Sequence, residues 1–254
     1  MSVGLEKRSH FRRAPADRPG ARLLASHAWK GTDVTSTNTT IAERVELMHQ
    51  SSATQLPASA LAAFGAEQSD LATRGIPDGV ARPGTMVSDA DLLDMNGLPT
   101  TLYTALANKP TVLITYRGAW CPYCNLALRA YQEQLVPALA ERGVGLIALS
   151  PQHPDGSMTM AEKNDLTFTV LSDPGNQIAR QLGILTAPTD EVREAQQSLG
   201  LDLSIVNADN GFGLPMPTVL IIGADKTIRW IDVHPNYATR TETSDILGAL
   251  DKLD

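Results

Sequence analysis

Both cysteines of the chain fall in one short stretch, Trp120-Cys121-Pro122-Tyr123-Cys124. A Cys-x-x-Cys pair suits redox chemistry when it opens a helix. Free backbone N–H groups and the helix dipole then stabilise a thiolate. The pair is also close enough to close a small disulfide on oxidation. Pro122 fits the first helical turn, where its missing N–H costs nothing. Trp120 is expected to shield the sulfurs and Tyr123 to control access to them. Half of a zinc site is the competing use. Zinc needs about four ligands, and neither a second Cys pair nor a histidine at ligand spacing is present. No metal or other cofactor is therefore expected.

The elements around the pair are legible from hydrophobic patterning. Val112 to Tyr116 reads as a buried central strand that delivers the cysteines. After them Leu128, Tyr131, Leu135 and Leu139 form one apolar helical stripe that ends near Gly143. Val144 to Leu149 is a second buried strand, so strand, helix and strand make a right-handed parallel unit. Pro151 to Asp155 reads as a loop and Thr167 to Leu171 as a strand. Asp173 is expected to cap the next helix, with Pro174 in its first position. A short helix follows at Asp190 to Leu199, and Leu203 to Gly213 reads as an inserted β-arm. Thr218 to Ile222 and Thr227 to Val233 are expected to form an antiparallel hairpin, before a last helix at Ser244 to Leu253. Upstream, Leu102 to Ala107 reads as a short helix and Asn96-Gly97 as a hairpin turn. This order predicts an α/β protein of thioredoxin-like layout, a central mixed sheet flanked by helices. In that layout Pro217, just before a hairpin strand, is a cis-proline facing the cysteines.

Three segments are expected: a disordered basic tail at 1–38, a helical extension at 39–82 and the main domain at 83–254. The extension rests on Ile41, Val45 and Met48, then on Leu61, Phe64 and Leu71 after Pro57. The first 30 residues hold seven Lys and Arg but two acids, although the whole chain carries a net charge of −7. The acidic balance argues against nucleic acid as a partner. No apolar run approaches the roughly 20 residues of a membrane span, and no secretory h-region is evident. An Arg-rich, acid-poor leader fits a transit peptide; a solvated tail or a start codon placed too early fits as well. A reactive pair without a secretory signal suggests a reducing compartment and a cytoplasmic location.

The stretches Tyr116-Arg117-Gly118-Ala119-Trp120-Cys121-Pro122-Tyr123-Cys124-Asn125, Ile147 to Pro151 and Leu171 to Asn176 carry a family likeness. The chain resembles the peroxiredoxin-like branch of the alkyl hydroperoxide reductase/thiol-specific antioxidant family from about Pro83 onward. That resemblance implies a thiol peroxidase acting on hydrogen peroxide or organic hydroperoxides. A thiolate attacks the peroxide, the resulting sulfenic acid condenses with the second cysteine, and a thioredoxin or glutathione-type reductant recycles the disulfide. The family's Pro-x-x-x-Thr-x-x-Cys pattern fits in two registers. One puts Cys124 at the attacking position and Arg117 at the proline; the other puts Cys121 there. Thioredoxins, by contrast, use the first cysteine of such a pair. Arg229 resembles the family's active-site arginine, which would stabilise the thiolate and polarise the peroxide. The stretch Val233 to Arg240 also matches this branch. The family admits a homodimer, although a pair this close resolves within one chain. Two other readings fit the motif: a thiol-disulfide oxidoreductase acting on protein disulfides, and a non-catalytic redox sensor.

Overall fold

The computed structural model describes residues 39–52 and 56–253; the basic tail expected at 1–38 lies outside them. The strand predicted ahead of the cysteines is β3, Thr111–Thr115, and every one of its residues is buried. Val112 and Ile114 enter one apolar cluster and Leu113 the other, so β3 is covered on both faces. It pairs in parallel with β4, Gly145–Ser150, and antiparallel with β8, Thr218–Ile222. β8 in turn pairs with β9, Ile228–Val233, as the expected hairpin. With β1 (Asp91–Leu93), β2 (Pro99–Thr101) and β5 (Thr169–Ser172) the sheet has seven strands in the order β2-β1-β5-β4-β3-β8-β9. A mixed sheet of this order with helices on both faces is the thioredoxin-like fold.

The helix after the cysteines begins as α4, Pro122–Ala130, and runs on to Glu141. Residues Tyr131–Leu135 form a wider π turn. Pro137 supplies the reason: it has no N–H for the Glu133 carbonyl, so the ladder shifts by one residue. The stripe of Leu128, Tyr131, Leu135 and Leu139 is buried as expected. α5, Val136–Glu141, completes the rod.

Three local expectations give way. The loop expected at Pro151 to Asp155 ends early: a helix, α6, Pro154–Lys163, begins inside it and fills a stretch for which no element was expected. Its buried face consists of Ser157, Met160 and Ala161, too small and polar a stripe to read by hydrophobicity. Pro174 does not start the next helix. That helix, α7, is Gln177–Leu182, and Asn176 in a left-handed conformation precedes it. Asp173 still caps it, its carboxylate accepting from the N–H groups of Gln177 (2.8 Å) and Ile178 (3.0 Å). The expected β-arm is instead a short helix, α9, Leu203–Val206, whose N-terminus Asp202 caps. It follows α8, Asp190–Ser198. The strand pairing in this region is between Leu185–Thr186 (β6) and Leu214–Pro215 (β7).

The upstream helices are α1, Ile41–Ser52, and α2, Ala58–Arg74; a short α3, Leu102–Leu106, precedes β3. Ile41, Val45 and Met48 of α1 join the same apolar cluster as α4. α2 lies against α8. The last helix, α10, is Thr243–Leu250. Just before it, Glu242 accepts hydrogen bonds from the N–H groups of Ile41 (2.9 Å) and Ala42 (2.8 Å). A residue near the C-terminus thus caps the first described helix. Among the described residues no helix is long and apolar enough to cross a membrane.

Candidate active site

β3 ends at Thr115, and the chain then crosses to α4 through Tyr116 to Cys121. Two polar side chains fix that crossing. Gln152 accepts from the Ala119 N–H at 2.9 Å and donates to the Tyr116 hydroxyl at 3.0 Å. Asn125 donates to the carbonyls of Ala119 and Cys121, both at 2.8 Å, and is itself held by Asn164. Glycine is required at 118, because a Cβ there would overlap the Trp120 indole. Cys121 occupies the N-cap of α4 in extended conformation, with Pro122 in the first turn. Cys124 sits in that same turn. Both thiols are free and both side chains are 1% exposed.

The two sulfurs have different surroundings. Cys124 Sγ accepts from the Arg117 backbone N–H at 3.4 Å and from Arg240 Nη2 at 3.1 Å; the same nitrogen is 4.0 Å from Cys121 Sγ. Burial alone would raise the Cys124 thiol. The Cys121 thiol donating to it, the Arg240 charge, the Arg117 N–H and the Arg117 charge outweigh that and bring it down to about 5. Burial pushes the Cys121 thiol well above its usual value, and the neighbouring Cys124 sulfur pushes it further. These surroundings favour the thiolate on Cys124 and the thiol on Cys121.

Arg240 is not the arginine that the sequence suggested. Arg229 is bound to Asp225 at 2.6 Å in the turn of the β8–β9 hairpin. Strand register explains the difference. Thr115 pairs with Thr218 at the cysteine end of the sheet, whereas Ile228 sits opposite Ile222, which pairs with Thr111. Four residues of strand, about 13 Å, separate the two ends. Arg240 arrives instead from the loop after β9. Asp232 accepts from Thr241 at 2.8 Å and is hydrogen-bonded to His234 at 2.9 Å, and His234 reaches Thr239 at 2.7 Å. The Tyr131 hydroxyl donates to the Thr241 carbonyl at 2.7 Å. Arg240 Nη1 donates to the carbonyls of Tyr237 and Thr239. This network aims the guanidinium at the sulfurs.

Pro217 also departs from expectation. None of the peptide bonds of the described residues is cis, so the Met216–Pro217 bond is trans. Thr115 and Thr218 hydroxyls both donate to the Met216 carbonyl, at 2.9 and 3.0 Å. Pro217 lines, with Cys124, Tyr131, Arg240 and Thr241, a space of about 10 Å³. That is room for about one water-sized group.

The aromatic and cationic residues flagged beside the pair come together. The Arg117 guanidinium stacks 3.8 Å from the Tyr237 ring centre and 5.2 Å from that of Trp120. The Tyr123 hydroxyl is hydrogen-bonded to His49 of α1 at 2.9 Å and to Gln68 of α2 at 3.3 Å. The extension helices therefore lie directly over the dithiol. Arg240, Tyr237, Gln152 and the roofing role of α1 and α2 escape residue-by-residue reading. The one signal available for the first two was the family likeness of Val233 to Arg240.

Similarity to known proteins bears on the family and the fold. The profile described as "AhpC/TSA family" matches residues 83–231. Both α1 and α2, and Arg240, lie outside that span. Over 128 residues the chain is 29% identical to the chloroplastic peroxiredoxin Q of Triticum aestivum, covering 50% of this chain and 58% of the relative. Over 79 residues it is 32% identical to the thiol-disulfide oxidoreductase ResA of Bacillus cereus (strain ATCC 10987 / NRS 248), covering 31% of this chain and 45% of the relative. The chain thus spans about half the length of these curated relatives. Reduced Prx3 from Vibrio vulnificus superposes with a TM-score of 0.54 at 17% identity, over 67% of this chain and 99% of the other. Peroxidoxin BcpB from Mycobacterium tuberculosis does so at 0.52 and 20% identity, over 68% and 98%. These structural likenesses speak for the fold.

Proposed function

The chain belongs to the AhpC/TSA family, and from that premise we propose that it is a thiol peroxidase working through Cys121 and Cys124. The observation that carries this reading is the Cys124 sulfur held between Arg240 Nη2 and the Arg117 N–H, with Cys121 in the same helical turn. Cys124 thiolate attacks one oxygen of hydrogen peroxide or an organic hydroperoxide. The O–O bond breaks, the sulfur becomes a sulfenic acid, and the departing oxygen takes up a proton to leave as water or an alcohol. Arg240 faces the oxygens as charge moves onto them. Cys121 then attacks the sulfenic sulfur, its proton leaves with the hydroxyl as water, and the disulfide forms. A thiol reductant of thioredoxin or glutathione type restores the pair. The space beside Cys124 matches a peroxide oxygen in size.

The experiment mixes reduced protein with equimolar hydrogen peroxide and follows loss of both thiols. Disulfide formation at least 10³-fold faster than oxidation of free cysteine is expected; a rate equal to free cysteine contradicts the reading. A second reading, thiol-disulfide exchange with proteins, is favoured by the likeness to ResA. The near-complete burial of both sulfurs counts against it, because a protein disulfide has to touch the attacking atom. Insulin reduction separates the two: none is expected.

A further inference from the structure

A second, much larger recess is lined by Cys121, whereas the small space is lined by Cys124. The recess measures about 310 Å³, within the range of small-molecule sites, about 300–1,000 Å³. Met48, Leu61 and Phe64 of the extension helices roof it, Leu199 closes one side, and Cys121 and Arg117 lie at the redox end. Its sulfur is the one that does not carry the thiolate. Arg117 is 5% exposed and forms no ion pair with a carboxylate among the described residues. Glu67 interacts with Tyr237, the ring on which Arg117 stacks; its Oε1 accepts from the Thr189 N–H, its Oε2 is buried, and no ion pair joins it to Arg117 among the described residues. In the reduced pair the Arg117 charge is offset by the Cys124 thiolate; the disulfide removes that anion, and a buried guanidinium without a partner is then a ready receptor for a carboxylate.

We propose that this recess is the reductant site, and that it admits a low-molecular-weight thiol bearing a carboxylate, which attacks the disulfide at Cys121. The proposal rests on the peroxidase reading, which supplies the disulfide. The incoming thiolate bonds to Cys121 Sγ, the Cys121–Cys124 bond breaks, and its electron pair leaves on Cys124, where Arg240 and the Arg117 N–H receive it. A sulfur so stabilised is the better leaving group. A second small thiol, as thiolate, then attacks the mixed disulfide. It departs with the first as a symmetrical disulfide, and Cys121 takes up a proton. Two thiols are oxidised to one disulfide per turn. The roof of α1 and α2 admits a small thiol and keeps a protein-sized one away from both sulfurs.

The test forms the disulfide with diamide, so it does not depend on the peroxide step. Its reduction is then timed with 3-mercaptopropionate, with neutral 2-mercaptoethanol at equal thiolate concentration, and with thioredoxin, its reductase and NADPH. Mercaptopropionate is expected to act at least tenfold faster than mercaptoethanol, and thioredoxin more slowly than either. Gly65 lines the recess on α2, and a Cβ added there meets nothing within 4 Å. Gly65→Phe is expected to slow the mercaptopropionate step at least tenfold, measured against peroxide oxidation of the same preparation; Gly65→Ala keeps it within twofold. Reduction that is fastest with thioredoxin, absence of a charge preference, or a thiol step untouched by Gly65→Phe overturns the proposal. Failure of peroxide to form the disulfide, with the thiol results as expected, sinks the peroxidase reading instead.

Discussion

Two identical thiols three residues apart are driven to different protonation states by their neighbours. Cys124 has a cation and a backbone N–H on its sulfur, and Cys121 has burial and an adjacent thiolate. The sign of the pH dependence follows. A Cys124 value of about 5 means that the attacking form is present above that pH and lost below it. Peroxide oxidation is expected to rise with pH through about 5 and stay flat from 6 to 8, as stopped-flow rates across that range will show. In Arg240→Met the inflection moves toward the ordinary thiol value of about 8.5, and the rate at pH 7 falls about tenfold or more. Arg229→Ala changes the rate less than twofold, because Asp225 holds that side chain at the other end of the hairpin. The sequence pointed to Arg229 alone, with no sign of which end of β9 meets the sulfurs. Arg229 lies on the strand and Arg240 in the loop beyond it, and only the register against β8 and β3 decides the matter.

At the scale of elements, the strand before the cysteines and the helix that they open were legible because their signals are strong. β3 is an unbroken β-forming run, and α4 opens with Cys-Pro and carries a periodic apolar stripe. Elements built on weaker patterns were not. α6 buries Ser157 and Ala161, and α9 is four residues long and held by the cap of Asp202. The trans bond at Pro217 shows the limit of analogy: the fold places a proline beside Cys124 without the expected isomer. Caps are the clearest energetic test at this level. Asp173 bonds two N–H groups at the start of α7, and burial raises its carboxyl to about 6. Asp173→Ala is expected to lower stability by about 1–2 kcal/mol, read from urea midpoints at pH 7.5. Gly183 ends α7 with φ of 69°, and a Cβ there would strike the Gly79 carbonyl. Gly183→Ala should therefore cost more than a helix-end glycine normally does, by the same measurement.

Across the whole molecule, the segment outside the family match determines what reaches the chemistry. The helical periodicity of Met48, Leu61 and Phe64 was readable, but nothing local says that these residues cover a dithiol more than fifty residues downstream. The roof is tied at its far end by Glu242, which caps α1, and beside the sulfurs by Tyr123. Glu242→Ala is expected to cost about 1 kcal/mol and to raise the rate of Cys121 alkylation by iodoacetamide severalfold; an unchanged rate would show that the roof does not depend on this tie. The chemistry turns on which of the two sulfurs attacks. The measurement is mass spectrometry of full-length Cys121→Ser and Cys124→Ser proteins treated with equimolar hydrogen peroxide at pH 7 and trapped with dimedone. Rapid sulfenic acid is expected on Cys124 in the Cys121→Ser protein, and none within the same time on Cys121 in the Cys124→Ser protein. Rapid labelling of Cys121, with Cys124 inert, would contradict that assignment.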